Sequence, residues 1–226
     1  MKKRILLLMT LCIVFFVACG GDTEKPQKSS APEPLKHSKG SFTDSRDGQV
    51  YRTATIGSQT WFAQNLNFKN SNSFCYLKKK ENCEVFGRLY VWSAAMDSAC
   101  PPGWHLPSKN DFETLFNAID RFINAGKKPL EPRIGLGKVL KSQEYWLDRI
   151  VAESTTDDYG FSVIPAGDRH YDGNFFKIKE RAYFWTSTEE DENRAYATVF
   201  SFSNSGVETR YYYQKSSGFS IRCIKD

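Results

Sequence analysis

Hydrophobic and polar positions divide this chain into stretches of different period. Ile5 to Ala18 is an almost unbroken apolar run of about fourteen residues behind Lys2, Lys3 and Arg4. A helix needs about 20 apolar residues to cross ~30 Å of hydrocarbon, so residues 1–18 read as a cleaved export leader. From Gly20 to Ser41 the pattern vanishes: Pro, Ser, Lys and Glu abound, and Leu35 is the one large aliphatic residue. Such a stretch buries too little apolar surface to offset its ordering entropy. Residues 19–41 therefore read as a disordered tether with a reach of roughly 25 Å. Alternation of period two begins at Gln49 and predicts strands over 49–56 and 59–66, joined at Gly57-Ser58 as a hairpin. Leu89, Trp92, Ala95 and Met96 have helical spacing, which predicts a short helix over 89–98 that Pro101-Pro102 stops. A longer helix follows, with Ser108 and Asp111 as capping pair, Phe112, Leu115, Phe116, Ile119, Phe122 and Ile123 on one face, and Gly126 at its end.

Periodicity fades between Lys127 and Lys179. Only short apolar pieces stand out there, among them Val139-Leu140, Tyr145-Trp146-Leu147 and Phe161 to Ile164. A loop region of that length marks function more often than filler. Strand patterns return over 182–187, 195–202, 207–213 and 218–224, with Ser203 to Gly206 as a turn. The order is an N-terminal hairpin, two helices, a long irregular loop region and C-terminal antiparallel strands. That is an α+β class, carried by one domain over residues 42–226.

The leader changes the charge arithmetic. The formal +5 includes its three cations, which leaves 31 − 3 = 28 basic against 26 acidic residues, about +2. That is too little for a nucleic-acid footprint. Phe16-Val17-Ala18-Cys19-Gly20 closes the apolar run and resembles a bacterial lipobox. The resemblance implies that Cys19 carries lipid, palmitate-like acyl chains included, and that the membrane is a partner through that anchor. Two or more chains hold far better than one. Gly20 in place of Asp after the cysteine implies the outer membrane. Asp22 and Glu24 resemble acidic signals for display at the cell surface.

Six cysteines less Cys12 and Cys19 leave Cys75, Cys83, Cys100 and Cys223. An even remainder in an exported chain predicts two disulfides. Three pairings are possible. The preferred one closes a short loop between Cys75 and Cys83, which leaves Cys100 with Cys223. No metal is expected, because His37, His105 and His170 are scattered and the cysteine spacing is wrong for zinc. No cofactor and no catalytic residue is implied either. His105 reads as a packed residue and the run Glu189 to Glu192 as a solvated turn.

Aromatic residues make up 15% of the chain. Trp61, Trp92, Trp104 and Trp185 read as core. The candidates for a binding surface are Tyr145, Trp146, Tyr159, Tyr171 and Tyr212. Within Tyr211-Tyr212-Tyr213 a strand turns Tyr212 away from its neighbours, so at least one of the three is expected at the surface.

Eight phrases then line up in order: Thr43 to Gly48 (TDSRDG), Ile56 to Trp61 (IGSQTW), Gln64 to Asn67 (QNLN), Gly87 to Tyr90 (GRLY), Cys100 to Ser108 (CPPGWHLPS), Asp157 to Ser162 (DDYGFS), Phe184 to Glu189 (FWTSTE) and Gly218 to Cys223 (GFSIRC). Together they resemble the Fibrobacter succinogenes major paralogous domain over residues 42–226. The resemblance implies an exported, often lipid-anchored protein with a C-type lectin-like fold, in which the last strand pairs back with the first. A Cys100 to Cys223 bridge suits that fold. The calcium-binding triplets of sugar-binding lectins are missing. Glu131-Pro132-Arg133 is the nearest match, and its arginine puts a cation where calcium needs oxygen. Asp157-Asp158 reads as a turn. A second relative by fold is the formylglycine-generating enzyme group, whose chemistry needs two active-site cysteines. The expectation is a non-catalytic, lipid-anchored module that binds a glycan or an envelope protein through the loops over 127–179. The alternatives are an oxidase or hydrolase on the formylglycine-generating scaffold, or a structural envelope component.

Overall fold

The computed structural model describes residues 34–123, 133–147 and 155–226. All of these belong to one compact unit. The leader, Cys19, Gly126 and the Glu131-Pro132 pair lie outside the described residues. Among the described residues no helix is long and apolar enough to cross a membrane.

Three strands open the domain: β1 (His37–Thr43), β2 (Val50–Ile56) and β3 (Gln59–Phe62). The β2–β3 hairpin is the expected one, but β1 takes in residues 37–41 of the segment read as tether. Its side chains are almost all exposed, so the strand has no period-two signature. Backbone pairing from His37↔Ile56 to Thr43↔Val50 holds it.

Next come β4 (Ser73–Phe74), a single 3-10 turn (Tyr76–Lys78), α1 (Lys80–Phe86), β5 (Leu89–Val91), α2 (Trp92–Met96), β6 (Trp104–His105), α3 (Lys109–Ile123) and α4 (Leu136–Leu140). The short helix expected over 89–98 starts only at Trp92. Leu89 and Tyr90 are buried in a strand, where a run of large side chains suits a sheet covered on both faces. The Ser108–Asp111 cap forms as read: Ser108 N donates to Asp111 Oδ2 at 2.7 Å and Asp111 N to Ser108 Oγ at 3.2 Å.

The C-terminal half holds β7 (Ala166–Arg169), β8 (Phe175–Ile178), β9 (Arg181–Glu189), β10 (Arg194–Ser201), β11 (Val207–Gln214), β12 (Gly218–Phe219) and β13 (Ile224–Lys225). The region read as irregular thus contains α4, β7 and β8. Its β7 hides from pattern reading because Gly167 and Asp168 stand in it. Gly167 has φ 68°, and a Cβ there would lie 2.3 Å from the Phe176 carbonyl oxygen.

Two sheets result, in the orders β1-β2-β3-β13-β6 and β11-β10-β9-β7-β12-β5-β4, with β8 paired to β7. With four α-helices among the described residues this is an α+β architecture. The last strand joins β3 and β6, not the first strand, since Ile224 faces both Trp61 and His105 in register. One core packs Phe112, Leu115, Phe116 and Ile119 of α3 between Ile56 and Trp61 of the first sheet and Phe184 and Phe200 of the second. A second gathers Phe62, Tyr90, Trp104, Trp185 and Phe219 with Cys100 and Cys223, and a smaller third joins Tyr76, Phe86, Leu89 and Ala166. All four tryptophans expected in the core are buried. Both disulfides form as preferred, Cys75–Cys83 and Cys100–Cys223.

Candidate functional site

Arg222 is fully buried, and a buried guanidinium must find an acceptor for each of its donors. Its Nε donates to Asn65 Oδ1 at 2.8 Å, Nη1 to the carbonyls of Phe62 at 3.2 Å and Phe161 at 2.5 Å, and Nη2 to Ser162 O at 2.6 Å. The guanidinium also lies over the rings of Phe161 and Phe184. Burial pulls its pKa down to about 9, opposed by the nearby Asp157. It stays charged at neutral pH. Four phrases scattered along the sequence, those holding Asn65, Phe161-Ser162, Phe184 and Arg222 itself, therefore meet at one side chain.

Asn65 is fixed from three directions. Besides accepting from Arg222, its Nδ2 donates to Phe86 O at 2.8 Å and Ser220 Oγ at 3.2 Å. The end of α1 reaches it only because Gly87 has φ 73°, where a Cβ would stand 2.7 Å from Asn65 Cβ.

On the outer side of this junction lies a cleft of about 320 Å³. Gln64, Asn65 and Asn67 line it from the segment after β3, Arg52 from β2, Glu84 from α1, and Glu144 and Tyr145 from the long loop. Asn67 Oδ1 is closed off from solvent and accepts no hydrogen bond, so a ligand hydroxyl reaches it only when the Asn67 amide turns into the cleft. Tyr145 is 42% exposed and stands edge-on to Phe86 at 5.5 Å. Its φ of 72° is unusual for a bulky residue and costs about 1 kcal/mol or more, a kind of strain that clusters at ligand clamps.

The other predicted aromatics do not join it. Trp146 is half-buried against the first core, donates Nε1 to Val163 O at 3.1 Å and lies under Lys141 Nζ at 4.8 Å, so it holds the loop down. Tyr159 is 9% exposed and belongs to that core, with its ring edge on His37, which corrects its assignment to the surface. Tyr171 is 57% exposed on the β7–β8 turn, packed on His170. Tyr212 is 42% exposed on β11, edge-on to Tyr196 and under Arg194. Tyr211 is equally open because β11 is an edge strand. The amides that line the cleft were missed as site residues, although the QNLN phrase that holds them is plain in the sequence.

Other polar candidates have structural partners. Asp157 accepts from Ser162 N at 2.7 Å and Oγ at 2.5 Å, as the expected turn, and burial raises its pKa. Arg133 pairs with Asp120 and Glu113 of α3 and donates to Asn117 at 2.9 Å, tying the stretch that leads into α4 to that helix. His105, expected to be packed, is half exposed and pairs with Asp226 at 2.6 Å. Lys141 donates to the carbonyls of Ser201 and Asn204, and burial lowers its pKa to about 8. Among the described residues no group of three His, Cys, Asp or Glu side chains is placed to hold a metal ion.

The convergence of the scattered phrases has a counterpart outside this chain. The pattern of the Fibrobacter succinogenes major domain matches residues 54–225, about three quarters of the sequence. The chain belongs to this family. No curated protein matches the chain. In this Fibrobacter succinogenes major domain the sequence phrases, the first of which precedes the matched residues, act chiefly on structure. Arg46 of the first one pairs with the buried Asp44 and donates to the carbonyls of Ser98 and Ala99, while Arg88 of GRLY donates to Ser73 and packs against both sulfurs of the Cys75–Cys83 bridge.

Proposed function

We propose that this chain is a lipid-anchored protein of the bacterial outer membrane whose C-type lectin-like domain recognises a saccharide in the Tyr145 cleft. The observation that carries the proposal is the exposed, strained Tyr145 beside the amide side chains of Gln64 and Asn67 in one polar cleft. A sugar offers what those groups lack: an apolar ring face for stacking and hydroxyls that donate and accept together. The cleft volume falls at the small end of ligand sites, which suits one or two sugar units better than a protein surface. Glu144 and Tyr145 come from the loop region that the sequence pattern marks for function.

The lipobox at Cys19 supports the anchor, and display at the cell surface gives the cleft access to envelope or environmental glycans. The oxidase alternative draws on a pair of free thiols. All four cysteines of the domain are engaged in disulfides, which favours recognition.

A glycan array probed with the full chain tests the proposal, with Tyr145→Ala and Asn67→Ala as variants. Binding that each variant weakens about tenfold, with unchanged thermal melting, supports it. An array without signal, or one that both variants leave untouched, overturns it.

A further inference from the structure

Away from the cleft, two loops stand side by side and leave large apolar side chains in water. One is the disulfide loop between Cys75 and Cys83, where Leu77 is 53% exposed. The other is the β7–β8 hairpin, where Tyr171 on the turn is 57% and Phe176 on β8 46% exposed. Leu77, Lys78 and Phe176 line one shallow hollow. The loops are held together from beneath by the buried Tyr76 and its edge contact with Phe175 at 5.3 Å. His170, between Tyr171 at 4.0 Å and Phe176 at 5.9 Å, links the hairpin's two exposed rings. Leu77 has left-handed backbone angles, φ 52° and ψ 22°, which point a costly conformation at solvent.

Around this apolar tip stand Lys78, Lys79 and Lys80, all exposed. Only Lys80 has an ion pair among the described residues, a loose one to Glu84 at 3.6 Å. The nearby acids are Glu81, Glu84, the buried Asp168, Asp172 and Glu180. Of these, Glu180 pairs with Lys177, and Asp172 with His170. A fixed tip of aliphatic and aromatic side chains inside a lysine collar matches a lipid interface, where rings and chains enter the headgroup layer and ammonium groups meet phosphate.

We propose that this tip docks on an anionic phospholipid surface, with Leu77, Tyr171 and Phe176 inserted and Lys78, Lys79 and Lys80 paired with headgroup phosphates. The contact is separate from saccharide recognition and does not rest on it. It fixes the orientation of the domain on the membrane surface.

Hydrogen–deuterium exchange of the full chain on vesicles tests this. Vesicles of phosphatidylcholine alone are compared with vesicles that also contain phosphatidylglycerol, so that whatever the N-terminus does is common to both arms. The expected result is slowed exchange over residues 75–80 and 171–177 with phosphatidylglycerol only, reversed by high salt. The triple variant K78Q/K79Q/K80Q lowers that protection about a hundredfold, at roughly fivefold per lysine. Leu77→Ser with Phe176→Ser abolishes it while exchange in α3 stays as in the parent, which separates loss of docking from loss of fold. Equal exchange on both vesicles overturns the proposal. So does protection that appears only when an acidic protein is added, which makes the tip a protein interface instead.

Discussion

Replacing Arg222 by Leu removes the one side chain on which four segments of the domain converge. The four hydrogen bonds of 2.5 to 3.2 Å leave three buried acceptors, on Phe62, Asn65 and Phe161, and a half-buried one on Ser162 without their donor. An orphaned buried acceptor costs about 1 to 3 kcal/mol, which for the three buried ones sums to roughly 3 to 9 kcal/mol. Part returns because the guanidinium no longer has to be desolvated, the cost that pulls its pKa down to about 9. A net loss of about 4 kcal/mol is expected, a large share of the ~5–15 kcal/mol of a typical domain. With a urea slope of about 2 kcal/mol/M, the midpoint falls by about 2 M. Urea unfolding of the oxidised protein, followed by the fluorescence of the buried tryptophans, measures this. Arg222→Lys keeps the charge but offers three donors from one point, so it should lose less than Leu yet still fall short of the parent. A Leu variant within about 1 kcal/mol of the parent would refute the reasoning, since the convergence would then be geometry without energetic weight.

Three further outcomes follow from the same structure. In the chain-entropy model the Cys100–Cys223 bridge, with a separation of 123 residues, contributes about 5 kcal/mol against about 2.5 for Cys75–Cys83 with a separation of 8. Paired Cys→Ser variants should therefore lose urea stability in that order, and the reverse order would contradict it. Burial raises the Asp168 carboxyl to about 6 from an ordinary 3.8, so the folded state binds that proton more tightly than the unfolded chain. Its contribution to stability falls as pH rises from about 4 through about 6. Asp168→Asn should flatten that slope and gain about 1 to 2 kcal/mol at pH 7 after discounting for screening, as read from urea midpoints at several pH values. Trp146→Ala should cost about 2 to 4 kcal/mol in melting experiments through lost packing and the Val163 hydrogen bond, while any ligand affinity at Tyr145 drops less than for Tyr145→Ala.

The elements with strong periodicity were legible in the sequence: the β2–β3 hairpin, α3 with its Ser108–Asp111 cap, and the strands from Arg181 onward. So were the four cysteines and their preferred pairing. What escaped the pattern was structure held by something other than amphipathic burial. The β1 strand is almost wholly exposed and survives on its backbone ladder, α1 sits in a lysine-rich loop closed by a disulfide, and β7 contains a glycine that its neighbour requires. The aromatic candidates separated for a similar reason. Aromatic identity says nothing of which face a loop turns outward, so Tyr145 reached a cleft while Tyr159 sank into the core. Arg222 carried no mark of burial in the sequence. Only its place in a phrase shared with a family hinted that it mattered.

The central claim is that the Tyr145 cleft binds saccharide, and titration of the full chain with glycans drawn from a positive array, watched through the amide signals of Gln64, Asn65 and Asn67, tests it most directly. The account predicts saturable shifts at these amides and at the Tyr145 ring, lost in Tyr145→Ala, with the signals of β11 and the β7–β8 turn unmoved. Shifts that centre on Tyr212 or Tyr171 instead, or that persist unchanged in Tyr145→Ala, would contradict it.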